Sequence, residues 1–206
     1  MIQRGVLVVV SGFSGAGKGT VIKRVVSEND KLSLSISMTT RSPREGETNG
    51  REYFFVTKDE FEDAIKKGEL LEYAQYVGNY YGTPKKYVED KLDSGNDVIL
   101  EIETQGALQI KERFPDAVLV FITPPSAKTL KDRLISRGTE TMEVIDNRIK
   151  RAAEEAKIID KYDFILVNDD LDKAIEELKA LIDASRHAPA CNDVFIKDLI
   201  EEFKTV

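Results

Sequence analysis

Val6-Leu7-Val8-Val9-Val10-Ser11-Gly12-Phe13-Ser14-Gly15-Ala16-Gly17-Lys18-Gly19-Thr20 decides how this chain is to be read. The apolar, β-branched run from Val6 to Val10 predicts a buried strand. Val21-Ile22-Lys23-Arg24-Val25-Val26, just beyond, predicts a helix. Between them the glycines let the backbone curl so that successive N–H groups converge on an anion, with Lys18 reaching the outer phosphates of a nucleoside triphosphate. The phosphates would then sit at a helix N-terminus. A plain βα turn needs one or two glycines and no lysine. Gly12, Ser14, Gly15, Ala16, Gly17, Lys18, Gly19 and Thr20 are therefore the candidate triphosphate-binding residues. Gly19 stands where the form G-x-x-x-x-G-K-[ST] carries a hydroxyl, and Thr20 follows one position later. A Mg²⁺ ion is thus expected to be held mainly by water and by the nucleotide's own phosphates, with no protein ligand committed to it.

Outward from this loop, residues 6–11, 97–103, 117–122 and 163–167 read as buried strands, and helical patterns occupy about 18–28, 105–113, 126–137, 143–160 and 170–185. Strands alternating with helices imply a parallel α/β sheet with right-handed crossovers. Residues 34–38, 52–56 and 70–77 alternate polar and apolar, which predicts a small mixed sheet inserted into that core. Thr57-Lys58-Asp59-Glu60 opens a helix with a capping box, Gly68 ends it, and Gly78-Asn79 reads as a hairpin turn. Thr83-Pro84 reads as the N-cap and first turn of the next helix. Residues 186–193 form a connector, beyond which Val194, Ile196, Leu199, Ile200 and Phe203 give a short amphipathic helix. That helix either docks on the core or mediates contact between subunits.

The 206 residues suffice for one large domain or a core with small insertions. A net charge of −7 argues against generic nucleic-acid binding. One cysteine, Cys191, excludes an internal disulfide, and with a single histidine a zinc centre is not expected. Apolar runs are too short for a bilayer, and Met1-Ile2-Gln3-Arg4 leads into a strand rather than a signal peptide. A cytoplasmic protein is the expectation.

Three further clusters carry charge. Arg41 and Arg44, on a loop stiffened by Pro43, make a fork for a second phosphate, to which Tyr53 adds a neutral donor. Alternatively those arginines pair with Glu45 and Glu47 on a solvated loop. Glu72, in an otherwise apolar strand, and the segment Asn79-Tyr80-Tyr81-Gly82-Thr83 offer a carboxylate and hydroxyls. That set matches guanine, whose N1–H and exocyclic amine are adjacent donors. The other reading is an outward glutamate beside core tyrosines. Arg133 and Arg137 share a helix face ending at Gly138, with Arg148 and Arg151 following, as suits a mobile arm for phosphoryl transfer. Glu101 and Glu103 end a core strand where parallel sheets present ligand-binding groups. Asn168-Asp169-Asp170 either contacts adenine or caps the following helix.

Taken in order, the phosphate loop, Thr39-Thr40-Arg41-x-Pro43-Arg44, Gly46-Glu47-x-Asn49-Gly50-x-x-Tyr53, Asn79-Tyr80-Tyr81-Gly82, Arg137-Gly138-Thr139 and Val167-Asn168-Asp169 resemble guanylate kinases from about residue 4 to 185. The resemblance implies an α/β fold of the P-loop NTPase type: a parallel sheet with helices on both faces, a small mixed GMP-binding insert and a helical lid. It implies a core of residues 1–33, 95–124 and 161–190, an insert of 34–94, a lid of 125–160 and a C-terminal helix within 191–206. The activity implied is Mg²⁺-dependent transfer from ATP to GMP, with dGMP as a second acceptor. By position, Ser37, Glu72, Thr83 and Glu103 would recognise guanine, and Arg41, Arg44, Tyr53 and Tyr81 would hold the GMP phosphate. Lys18, Arg41, Arg137 and Arg148 would stabilise charge in the reaction, with Arg133 helping and Asn168 beside adenine. Glu101 and Glu103 replace the aspartates often found in the family, Phe13 replaces a proline, and Gly19 replaces a serine in a loop form similar to that of adenylate kinases. Two rivals stay open: a non-catalytic guanylate-kinase-like module binding phosphopeptides, and another small phosphoryl transferase on the same fold.

Overall fold

Val8, Val9 and Val10 are buried completely because β1 (Leu7–Gly12) is flanked by a strand on each side and covered on both faces. The computed structural model describes residues 4–76, 78–138 and 140–205, and of Tyr76 the backbone alone. Val77 and Thr139, which fall in two of the predicted segments, lie outside the described residues. After β1 come α1 (Lys18–Ser27), β2 (Leu32–Leu34), β3 (Ser37–Thr39), β4 (Tyr53–Phe55) and α2 (Lys58–Lys67). They are followed by β5 (Leu70–Tyr76), β6 (Asn79–Pro84), α3 (Lys85–Asp93), β7 (Asp97–Glu101) and α4 (Thr104–Arg113). The chain finishes with β8 (Val118–Thr123), α5 (Ala127–Ser136), α6 (Met142–Ala156), β9 (Phe164–Val167), α7 (Leu171–Ser185) and α8 (Asp193–Phe203).

One sheet has the order β2-β7-β1-β8-β9 and is parallel throughout, with Val9 of β1 opposite Leu100 of β7 and Leu119 of β8. The second has the order β4-β3-β6-β5 and is mixed. The α/β architecture with an inserted mixed sheet is as predicted.

Several details differ from the sequence reading. The core sheet has five strands rather than four, because residues 34–38 divide between the sheets: Leu34 closes β2 beside β7, and Ser37 opens β3. Ser35 marks the crossing, its N–H still donating to Ile99 O at 2.8 Å. The strand predicted over 97–103 stops at Glu101, since Glu103 takes the N-cap position of α4. The helix expected over 143–160 ends at Ala156 and is succeeded by a 3₁₀ turn, Ile159–Lys161. Pro84, not Thr83, is the N-cap of α3. The Thr83 hydroxyl is engaged elsewhere, donating to Glu72 Oε1 at 2.7 Å.

Local signals behave as their chemistry requires. Thr57 and Glu60 close a reciprocal capping box at the start of α2, and Gly68 ends that helix at φ 69°. Asp97, fully buried on β7, accepts from the Val6 N–H at 2.9 Å and from the Arg186 guanidinium, tying the end of α7 to the sheet. No residue of α8 is buried, so the core-docking reading of that helix fails; Phe195, Ile200 and Phe203 stay exposed.

Candidate active site

The loop between β1 and α1 is held open from behind. Phe13 anchors it by packing edge-on against Phe121, ring centroids 5.0 Å apart. Gly17, the N-cap of α1, has φ 90°, and a Cβ there would stand 2.5 Å from the Asn168 side-chain nitrogen. Only glycine meets both demands. Asn168 itself donates to Ala16 O at 2.8 Å, so it braces the loop from the end of β9. Gly17 supplies no side-chain cap, which leaves first-turn N–H groups of α1 for an anion. Lys18 Nζ donates to the carbonyls of Gly12 at 2.6 Å and Phe13 at 3.2 Å. Burial pulls the Lys18 pKa down from its ordinary value, opposed by the charges of Glu101, Glu103 and Glu155.

Arginines from the α5–α6 segment converge on the same loop. Arg133 and Arg137 line a cavity of about 330 Å³ together with Gly15, Gly17, Thr20 and Asn168. Arg148, on α6, donates to the Ser14 hydroxyl through one nitrogen and to Glu140 through another. Gly138, at φ 65°, ends the arginine-bearing helix as expected.

On the other side of Lys18 lies a cavity of about 470 Å³, walled by Ser37, Tyr53, Glu72, Tyr81, Glu101 and Glu103. Its key carboxylate is aimed by a β-bulge: four residues of β5, from Leu70 to Tyr73, oppose three of β6, from Pro84 to Gly82. The extra residue lets consecutive side chains, Leu71 and Glu72, both turn inward. Arg113 Nη1 secures the bulge by donating to Leu71 O at 2.8 Å. Burial raises the Glu72 pKa, against the Thr83 hydroxyl bond and the Arg113 charge. Gly106, in the first turn of α4, makes room for this carboxylate, because a Cβ there would come within 2.8 Å of Glu72 Oε2.

Arg41 stands against Tyr53, one of the walls of this cavity. Its guanidinium lies 5.4 Å from the Tyr53 ring centroid and 5.8 Å from that of Phe55, and pairs with Glu47 at 2.9 Å. The Arg44 N–H donates to the same Glu47 carboxylate. Glu47 thus holds the Arg41 guanidinium beside Tyr53, and of Arg44 it holds the backbone N–H.

The guanylate kinase family model matches residues 4–185. The chain belongs to the guanylate kinase family. It is 54% identical over 180 residues to the guanylate kinase of Oceanobacillus iheyensis, a match that covers 87% of each chain. Against the guanylate kinase of Bacillus subtilis identity is 53% over 183 residues, 88% of this chain and 90% of that one. The crystal structure of guanylate kinase from Anaplasma phagocytophilum superposes with a TM-score of 0.72 at 32% identity, covering 92% of this chain and 89% of the other.

Most of the binding residues read from sequence line one or other of two cavities. Ser37, Tyr53, Glu72, Tyr81 and Glu103 wall one cavity, with Thr83 bonded to Glu72 behind it. Arg133, Arg137 and Asn168 wall the other with the glycine loop. Arg41, Arg44 and Arg148 are outside both linings, Arg41 beside Tyr53, Arg148 on Ser14 of the loop, and Arg44 exposed. Glu101 and Arg151, which the sequence offers as a strand-end carboxylate and as part of the arginine arm, both reach the site, whereas Gly106 and Glu155 carry no role in the sequence reading. Gly106 had a visible signal, a glycine inside a helical pattern, where it costs stability unless something needs the space. Glu155 is an ordinary charged residue on a helix, paired with Arg151 four positions before it.

Oxygen donors suit Mg²⁺, and Glu101 presents one to the loop: its carboxylate oxygens stand 3.7 and 3.8 Å from where a Cβ on Gly19 would lie. Burial raises the Glu101 pKa while Lys18 draws it back down. Among the described residues no three acidic, histidine or cysteine side chains gather into a cage. A carboxylate at the place of Glu101 fits an ion bound beside the loop.

Proposed function

We propose that the two cavities on either side of Lys18 are the donor and acceptor sites for the family's reaction, ATP + GMP giving ADP + GDP. The observation that carries this is Lys18 itself, which belongs to the glycine loop and also lines the Glu72 cavity. A phosphoryl group passing between the sites would cross its ammonium. Gly12, Ser14, Gly15, Ala16, Gly17, Gly19 and Thr20 cradle the ATP phosphates, with Arg133, Arg137 and Asn168 on the nucleotide side. Glu72 accepts from guanine N1–H and the exocyclic amine, while Ser37, Thr83 and Glu103 complete the base site. Arg41, Arg44, Tyr53 and Tyr81 hold the GMP phosphate.

The chemistry needs positioning and charge neutralisation rather than a covalent intermediate or a strong base. On binding, the triphosphate replaces the Gly12 and Phe13 carbonyls as the partner of Lys18. Arg137 and Arg148 then neutralise charge that develops on the transferring oxygens. A Mg²⁺ ion held by phosphates, by water and by Glu101 would supply further neutralisation when bound. Closure of residues 34–94 and 125–160 over the core 1–33, 95–124 and 161–190 would exclude water. The acidic chain is assigned to the cytoplasm, with no nucleic-acid or membrane partner. The exposed apolar face of α8 is assigned to contact between copies. Among the described residues no helix is long and apolar enough to cross a membrane.

The purified chain with Mg²⁺ and ATP should release ADP in proportion to added GMP and yield an equal amount of GDP. ADP release that ignores GMP would overturn the assignment, and absence of turnover with intact nucleotide binding would favour the interaction-module reading.

A further inference from the structure

Arg151, on α6, lines neither cavity but reaches across to Glu103 of the acceptor wall. Its Nη2 meets Glu103 Oε2 at 2.6 Å, and its Nε meets Glu155 Oε1 at 3.0 Å. Glu155 lies one turn further along α6 and is 11% exposed, whereas Glu103 is 67% exposed at the cavity mouth. The guanidinium is therefore anchored at one edge and presents the other to the acceptor wall. Glu103 is also the N-cap of α4, yet its side chain makes no capping bond. Its carboxylate is directed to Arg151 instead. One oxygen is thereby fixed, and the second is left for a ligand in the cavity that Glu103 lines.

We propose that Arg151 is a positioning residue: it orients Glu103 toward the acceptor base and so couples lid position to acceptor occupancy, with Glu155 as its anchor. The inference rests on the assignment of that cavity to GMP. With the cavity open to water the Arg151–Glu103 pair is screened and contributes little. A purine lying over Glu103 excludes water and strengthens the same pair, because attraction grows as the local dielectric falls. Acceptor binding thus holds α6 in this inward position, and with it Arg148, which reaches Ser14 on the donor loop. By reciprocity a donor-site ligand that favours the inward lid tightens GMP by the same factor.

The test uses the full chain and the variants Arg151→Gln, Arg151→Lys and Glu103→Gln, alone and combined. Arg151→Gln should raise KM for GMP about tenfold, more than it lowers kcat, and Arg151→Lys should restore part of the loss. Calorimetric titration of GMP with and without ADP should show ADP tightening GMP in the parent chain and a coupling factor near one in Arg151→Gln. On the Glu103→Gln background the Arg151→Gln change should add little, since both act through one contact. Unchanged KM for GMP, undiminished coupling, or fully additive effects would overturn the proposal. A kcat-only loss would do so too, by moving Arg151 onto the transferring group. If the parent chain bound ADP but no GMP, the acceptor-site assignment would fail before the Arg151 comparison is reached.

Discussion

Lys18→Ala should fold normally and lose about 10²-fold to 10³-fold in kcat, the range expected when one preorganised donor is removed from a developing oxyanion. The fold survives because Lys18 is not part of either apolar core; its bonds go to two loop carbonyls, Gly12 and Phe13. Phe13 and Asn168 hold that loop without it. Activity falls because the ammonium lines the acceptor cavity while belonging to the donor loop, so no neighbour can substitute. Circular dichroism and a melting curve check the first half, and single-turnover GDP formation the second. An alanine variant that turned over like the parent would remove Lys18 from the reaction.

Glu72→Gln should cost between about tenfold and two-hundredfold in kcat/KM for GMP, the worth of a hydrogen bond to a charged group. The effect should be confined to purines that offer N1–H and an exocyclic amine. The parent enzyme should also show an acid limb in KM for GMP that the variant lacks. Burial raises the Glu72 pKa above the ordinary 4.5, so protonation removes the acceptor at a higher pH than for a solvated carboxylate. GMP binding therefore weakens as pH falls through that range. Thermal midpoints at each pH separate this from unfolding: Glu72, whose folded pKa is raised, contributes relative stability at low pH, opposite to the loss of binding. A limb that persists in Glu72→Gln would assign the titration to another group.

The sequence carried the core because a buried parallel strand announces itself. Val6–Val10 and 117–122 are continuous apolar runs, and the glycine loop after the first has a spacing that few other structures require. Short elements were less legible. β2 has three residues, too few for a period, and its alternation runs without a break into β3, so the crossing between sheets left no mark. The bulge at Leu71–Glu72 was equally hidden, since two inward-facing neighbours violate the period on which strand reading depends. Glu72 was found through its chemistry, as a carboxylate amid apolar residues. Gly106, Glu140 and Arg151 act through contacts formed only after folding. Arg151 and Glu103 are 48 positions apart, and nothing local to either predicts the meeting.

The most direct test of the account is acceptor choice. With Mg²⁺ and ATP, initial rates for GMP, AMP, UMP and dTMP should favour GMP by about 10⁴ over AMP, because AMP would leave a buried carboxylate facing an acceptor. Equal rates with GMP and AMP would contradict the assignment of the Glu72 cavity to guanine, and with it the division of the site around Lys18.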